Sequence, residues 1–160
     1  MQDAVADSRL TEVLLVEDSP GDVRLTQEAF RNFDSSINLH LAADGLEAMA
    51  FLKRDGIYRQ AIRPDLILLD LKLPKMDGHK VLALIKADEN LKMIPIIVLT
   101  SSEVEADVLI SYQLQANCYL RKPMQWEAFD RIVKHINLFW LAKTKLPQSM
   151  RKELPAHTMP

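Results

Sequence analysis

The chain has 160 residues, 48% of them apolar and 26% charged, enough for one domain with a substantial core and too apolar for a disordered chain. A formal charge of −2 gives no global reason to expect nucleic acid, and the four histidines show no metal-ligand spacing. The lone Cys118 excludes an internal disulfide framework, and no stretch resembles a signal peptide or reaches membrane-spanning length, so a cytoplasmic protein without membrane contact is expected.

Residues 1–10 read as an N-terminal tail, 11–142 as one domain and 143–160 as a C-terminal tail. Residues 13–16 form the first continuous apolar run, the pattern of a strand buried on both faces of a parallel sheet. Ser19-Pro20-Gly21-Asp22 follows with an N-cap serine, a proline at the first helical position and an acid in the first turn. Residues 38–41, Asn-Leu-His-Leu, alternate, which predicts a strand exposed on one side and lying at an edge. Asp44-Gly45-Leu46-Glu47 caps a helix running to about residue 55.

Residues 66–69 are the second fully apolar run, and a helix follows Asp77-Gly78. Residues 96–99 are the third run, and Ser102-Glu103-Val104-Glu105 predicts a helix capped by Ser102 and reaching about residue 114. The shorter run 118–120 completes the buried strands. A final helix over 125–142 places Trp126, Phe129, Val133, Ile136 and Trp140 on one apolar face. Beyond about residue 146, Pro147, Pro155 and Pro160 predict little regular structure. Alternation of strand and helix five times over predicts an α/β, doubly wound sheet.

Polar residues fall at the ends of the apolar strands. Glu17 and Asp18 follow the first, Asp70 the second, Thr100 the third, and Lys122 comes just after residue 120. The carboxyl ends of parallel strands line one rim, where ligands bind at the crevice made by the reversal of strand order. Carboxylates gathered there repel one another by about 4 kcal/mol per pair at 4 Å and an effective dielectric near 20. A cation is therefore expected, and Mg²⁺, a hard ion that takes oxygen ligands, fits. Beside a metal, an ammonium and a hydroxyl, the Asp70 carboxylate can accept a phosphoryl group, because its neighbours stabilise the charge on the equatorial oxygens.

Any one of these residues has an ordinary reading. Asp70 alone is a turn or cap residue, Lys122-Pro123 a solvated lysine before a turn proline, and Tyr119 an edge-strand aromatic. Cys118, within an apolar strand, reads as core rather than nucleophile. Their joint placement at successive strand ends carries the functional reading. With only four glycines the chain offers no glycine-rich phosphate loop.

Glu17-Asp18, Asp70 in DLILLDLKLPKMDG, Thr100 in IPIIVLTSS and Lys122-Pro123 after Tyr119 resemble, in this order, the receiver domains of bacterial response regulators. The resemblance implies a flavodoxin-like, five-stranded parallel sheet of order 2-1-3-4-5 with helices on both faces. It implies Mg²⁺ held by Glu17, Asp18, Asp70 and the Lys72 backbone carbonyl, and phosphorylation of Asp70 by the phosphohistidine of a sensor histidine kinase. Thr100 and Lys122 match the phosphoryl-binding residues and Tyr119 the switch aromatic.

VEDSPGDVRLTQEAF, the long segment before Pro64 and FWLAKTKLP are similar to the small regulators that serve cyanobacterial phytochromes. That similarity implies a light-sensing kinase partner and a homodimer through the last strand and final helix, with Phe139 and Trp140 partly at the interface. Lys72 and Ser102, each two residues past a site residue, are expected to tune the lifetime of the phosphorylated state.

Two rivals stand beside this reading. An aspartyl-phosphate phosphohydrolase usually has a second acid two residues after its nucleophile, where this chain has Lys72. A pseudo-receiver would bind partners without using the phosphoryl group. About twenty residues follow the final helix, too few for a DNA-binding module, and Lys143, Lys145, Arg151 and Lys152 are dispersed among prolines, so output through protein contact or onward phosphotransfer is expected.

Overall fold

The computed structural model describes residues 10–33 and 36–143. Its strands are β1 (Thr11–Val16), β2 (Ile37–Ala42), β3 (Leu66–Leu69), β4 (Ile96–Thr100) and β5 (Cys118–Arg121). They form one parallel sheet of order β2-β1-β3-β4-β5. Order reverses between β1 and β3, the crevice expected to receive a ligand. The helices are α1 (Pro20–Phe33), α2 (Gly45–Lys53), α3 (Gly78–Ala87), α4 (Glu105–Gln113) and α5 (Trp126–Ile136).

The apolar strands divide their side chains between two cores. Val13, Leu15, Leu66, Leu68, Ile97 and Leu99 meet Ala29 and Phe30 of α1 and Phe129, Val133 and Ile136 of α5. Leu14, Val16, Ile67, Leu69, Ile96 and Val98 meet Ala48 and Leu52 of α2 and Val81, Leu82 and Ile85 of α3. Covering both faces is what lets residues 13–16, 66–69 and 96–99 be apolar at every position. Each such side chain contributes roughly 1.5–3 kcal/mol relative to exposure.

Element ends depart from the sequence expectations for local reasons. Helix α2 stops at Lys53 because Arg54 turns left-handed at φ +58°, leaving residue 55 outside the helix. A short 3₁₀ turn, Gly56–Tyr58, follows. Strand β5 is only half-buried over residues 118–120, because an edge strand is flanked on one side alone. Strand β2 is the other edge, as expected, but residues 37–40 are all half-buried, so the alternation is not one of clean exposure. Ser102 is not the cap of α4, whose cap is Val104 with no side-chain bond. The expected continuous last helix is α5 followed by a π-helical segment, Asn137–Lys143. On α5, Phe129, Val133 and Ile136 are buried as the apolar face predicts, while Trp126 is 37% exposed.

The expected tails lie outside the described residues except for Leu10 and Lys143. No helix among the described residues is long and apolar enough to cross a membrane.

Candidate phosphoacceptor site

The rim is assembled by strand ends and the turns that leave them. Asp70 follows β3, and its N–H donates to the Val16 carbonyl at 3.0 Å, which seats it beside the end of β1. Glu17 and Asp18 leave β1, Glu17 buried and Asp18 exposed, and the Glu17 Oε1 accepts the Ser19 N–H at 3.1 Å. Lys122 leaves β5, and its N–H donates to the Thr100 carbonyl at 2.7 Å.

The segment after Asp70 turns back closely on itself. The Gly78 N–H donates to the Leu71 carbonyl at 2.9 Å, and a Cβ on Gly78 would stand 2.4 Å from the Asp70 carbonyl oxygen. Only glycine lets the start of α3 approach this closely. A Cβ on Gly45 would likewise meet the Met76 carbonyl oxygen at 2.2 Å, so α2 starts against the same segment. Asp44 ties them further: its carboxylate accepts the Glu47 N–H at 2.7 Å and pairs with Lys75 Nζ at 3.3 Å.

Charge at the rim is unbalanced. The buried Lys122 ammonium donates to Glu17, to Asp22 at 3.0 Å and to Asp70 at 3.1 Å. Burial alone would depress this ammonium, yet the Glu17, Asp70 and Asp22 carboxylates together hold its pKa above the ordinary lysine value. Burial pushes the Glu17 carboxyl up to about 7; the Lys122 hydrogen bond pulls it down, and the Asp70 charge pushes it up again.

One oxygen from each of Glu17, Asp18 and Asp70 lies within 4.8 Å of the other two. These are hard oxygen donors, and with Asp22 they set four carboxylates against one ammonium. The donor set fits a Mg²⁺ site.

The sequence-predicted residues are thus partly gathered. Glu17, Asp18, Asp70 and Lys122 meet; Thr100 is fully buried at the end of β4, next in the sheet to β3. Lys72 is exposed, with its N–H 3.4 Å from Asp70 Oδ1. The half-buried Tyr119 donates its hydroxyl to the Ser102 carbonyl at 3.2 Å. Asp22 was read from sequence only as a first-turn acid. Its place one turn above the rim, three residues after the Ser19 cap, was the available signal for its second role.

The sequence model of the response regulator receiver domain matches residues 13–137. Response regulator Rcp1 of Synechocystis sp. is 49% identical over 135 residues, 84% of this chain and 92% of that protein. The crystal structure of the phosphorylated cyanobacterial phytochrome response regulator RcpA is 48% identical, with a TM-score of 0.84 over 86% of this chain and 99% of that one. The Mn²⁺-bound form of Rcp1 is 49% identical, with a TM-score of 0.79 and the same coverage.

Proposed function

The chain belongs to the response regulator receiver family, and from that premise we propose that Asp70 accepts a phosphoryl group from the phosphohistidine of a phytochrome-type sensor histidine kinase. The observation that carries this reading is the buried Asp70 carboxylate at the end of β3, 3.1 Å from Lys122 Nζ and within 4.8 Å of two further acids. Similarity to regulators described as phytochrome response regulators supports the choice of donor.

An Asp70 oxygen attacks phosphorus, the donor's P–N bond breaks, and the imidazole departs. Lys122 pairs with the incoming phosphoryl oxygens, and the Thr100 hydroxyl donates to them. Glu17, Asp18, Asp70 and the Lys72 carbonyl would hold Mg²⁺, which when bound supplies the charge that steadies the equatorial oxygens. Receiver chemistry of this kind modifies the protein's own aspartate rather than turning over an external substrate.

Tyr119, with its hydroxyl on the loop after Thr100, reports the state of the site to the surface formed by β5 and the last helix. That surface is where we place the homodimer: Leu138 and Phe139 are 41% and 60% exposed, and Phe139 meets Trp140 edge-on at 5.7 Å. The exposed Lys72 side chain, at the mouth of the site, tunes the lifetime of the phosphorylated state. Transfer of radioactive phosphoryl from a phosphorylated phytochrome-type kinase tests the reading. Label uptake that requires Mg²⁺ and Asp70 is expected; uptake unchanged in Asp70→Asn, or none at all, would overturn it.

A further inference from the structure

Helix α4 is held to the domain by little apolar packing. Of its nine residues only Ser111 is fully buried, and Leu109, Ile110 and Tyr112 are 59%, 38% and 51% exposed. Its cap, Val104, offers no side-chain hydrogen bond. An element with so little buried surface opens easily, and single hydrogen bonds then decide where it rests.

Those bonds converge on Asp107. The Ser102 hydroxyl donates to Asp107 Oδ2 at 2.5 Å and accepts the Val104 N–H at 3.3 Å. The Ser111 hydroxyl donates to the Asp107 carbonyl at 2.7 Å. From α3, His79 Nε2 reaches across a cleft to lie 3.3 Å from Ser111 Oγ and 3.4 Å from the Asp107 carbonyl.

Ser102 is buried, and each of its polar groups has a partner. Its N–H faces Thr100 Oγ1 at 3.4 Å, its carbonyl accepts the Tyr119 hydroxyl, and its hydroxyl is bound to α4. The residue is therefore a junction between the phosphoryl-side hydroxyl, the switch aromatic and α4. With its hydroxyl bound to Asp107, the Ser102 side chain ties the loop after Thr100 to α4.

We infer that Asp107 is a positioning residue: by accepting the Ser102 hydroxyl it fixes the carbonyl on which Tyr119 rests, and so sets the orientation of Tyr119 and the lifetime of phosphorylated Asp70. The lifetime clause rests on the phosphoacceptor reading, whereas the orientation of Tyr119 can be measured without phosphoryl transfer.

The test uses the full chain labelled with 3-fluorotyrosine, with the Tyr119 resonance assigned from Tyr119→Phe. In unphosphorylated Asp107→Ala the Tyr119 signal should shift and broaden. Asp107→Asn, which keeps an acceptor and loses the charge, should retain the wild-type signal. Ser102→Ala should reproduce the effect of Asp107→Ala, and the double variant should add nothing, since both break one bond. After phosphorylation, the decay rate of Asp107→Ala should differ at least threefold from wild type, with Asp107→Asn close to wild type.

An unmoved Tyr119 resonance in Asp107→Ala, an Asn variant that behaves like the Ala variant, or additive effects would each overturn the inference. If the wild-type chain takes up no label, the phosphoacceptor reading fails, and the resonance comparison still decides the role of Asp107.

Discussion

The Lys122 ammonium donates to the Asp70 carboxylate across 3.1 Å, although 52 residues separate the two in sequence. The same ammonium serves Glu17 and Asp22, so three acids depend on one cation. Lys122→Met should therefore leave uncompensated carboxylates in a buried site, at a cost of about 3–5 kcal/mol in metal-free buffer. Millimolar Mg²⁺ should restore part of that loss and stabilise the variant more than it stabilises the wild type. Urea denaturation with and without Mg²⁺ checks this; equal metal effects on both proteins would speak against the shared charge balance.

Asp44 links stability to pH through the rim. Its carboxyl pKa is held below the ordinary value first by the Glu47 N–H, with burial opposing and Lys75 assisting. A depressed folded pKa gives stability that is present above the unfolded pKa and lost as pH falls through the folded one. Asp44→Ala should be about 0.5–2 kcal/mol less stable than wild type at pH 7, and the gap should narrow as pH drops below the ordinary carboxylate range. Asp44→Asn keeps the cap, so its stability relative to wild type should recover towards acid pH. Denaturation curves across pH measure both.

Gly78→Ala tests the close approach beneath Asp70. The added methyl would meet the Asp70 carbonyl oxygen at 2.4 Å and Leu71 Cα at 2.5 Å, backbone atoms with no rotamer to yield. Overpacking of this kind costs about 1–3 kcal/mol. Because the displaced backbone carries Asp70, phosphorylation should slow as well. A variant with wild-type stability and labelling rate would show that α3 does not rest there.

Asn137 is buried with both polar atoms of its side chain unpartnered, at the residue where α5 passes into the π-helical segment. A buried amide without partners loses its hydration and gains nothing in return. Asn137→Leu, which keeps the side chain's branching and removes both polar atoms, should raise stability by about 1–3 kcal/mol in denaturant unfolding. A loss of stability would mean that the amide has a partner in solution.

The parts of this fold legible in sequence are those where a long pattern leaves one physical solution. Residues 13–16 and 66–69 could be read as central strands because only a sheet covered on both faces accepts apolar residues at every position. Asp44 could be read as a cap because its side chain bonds the N–H three residues on.

Ser102 looked like the same signal, yet its hydroxyl serves Asp107 and the helix starts three residues later. The choice between a cap and a turn rests on one hydrogen bond that sequence does not reveal. The π-helical turn at Asn137 depends on how the last residues seat against the core, and helical spacing cannot encode it. Asp22 went unread as a site residue because it lies in the first turn of α1 and not at a strand end, the position that marked the others.

The central claim is that Asp70 is the phosphoacceptor. Its most direct measurement is borohydride reduction of the phosphorylated protein followed by peptide mass spectrometry, which converts an aspartyl phosphate to homoserine. The account predicts homoserine at position 70 and nowhere else. Homoserine at another aspartate, or phosphate that survives reduction on a serine, threonine or histidine, would contradict it.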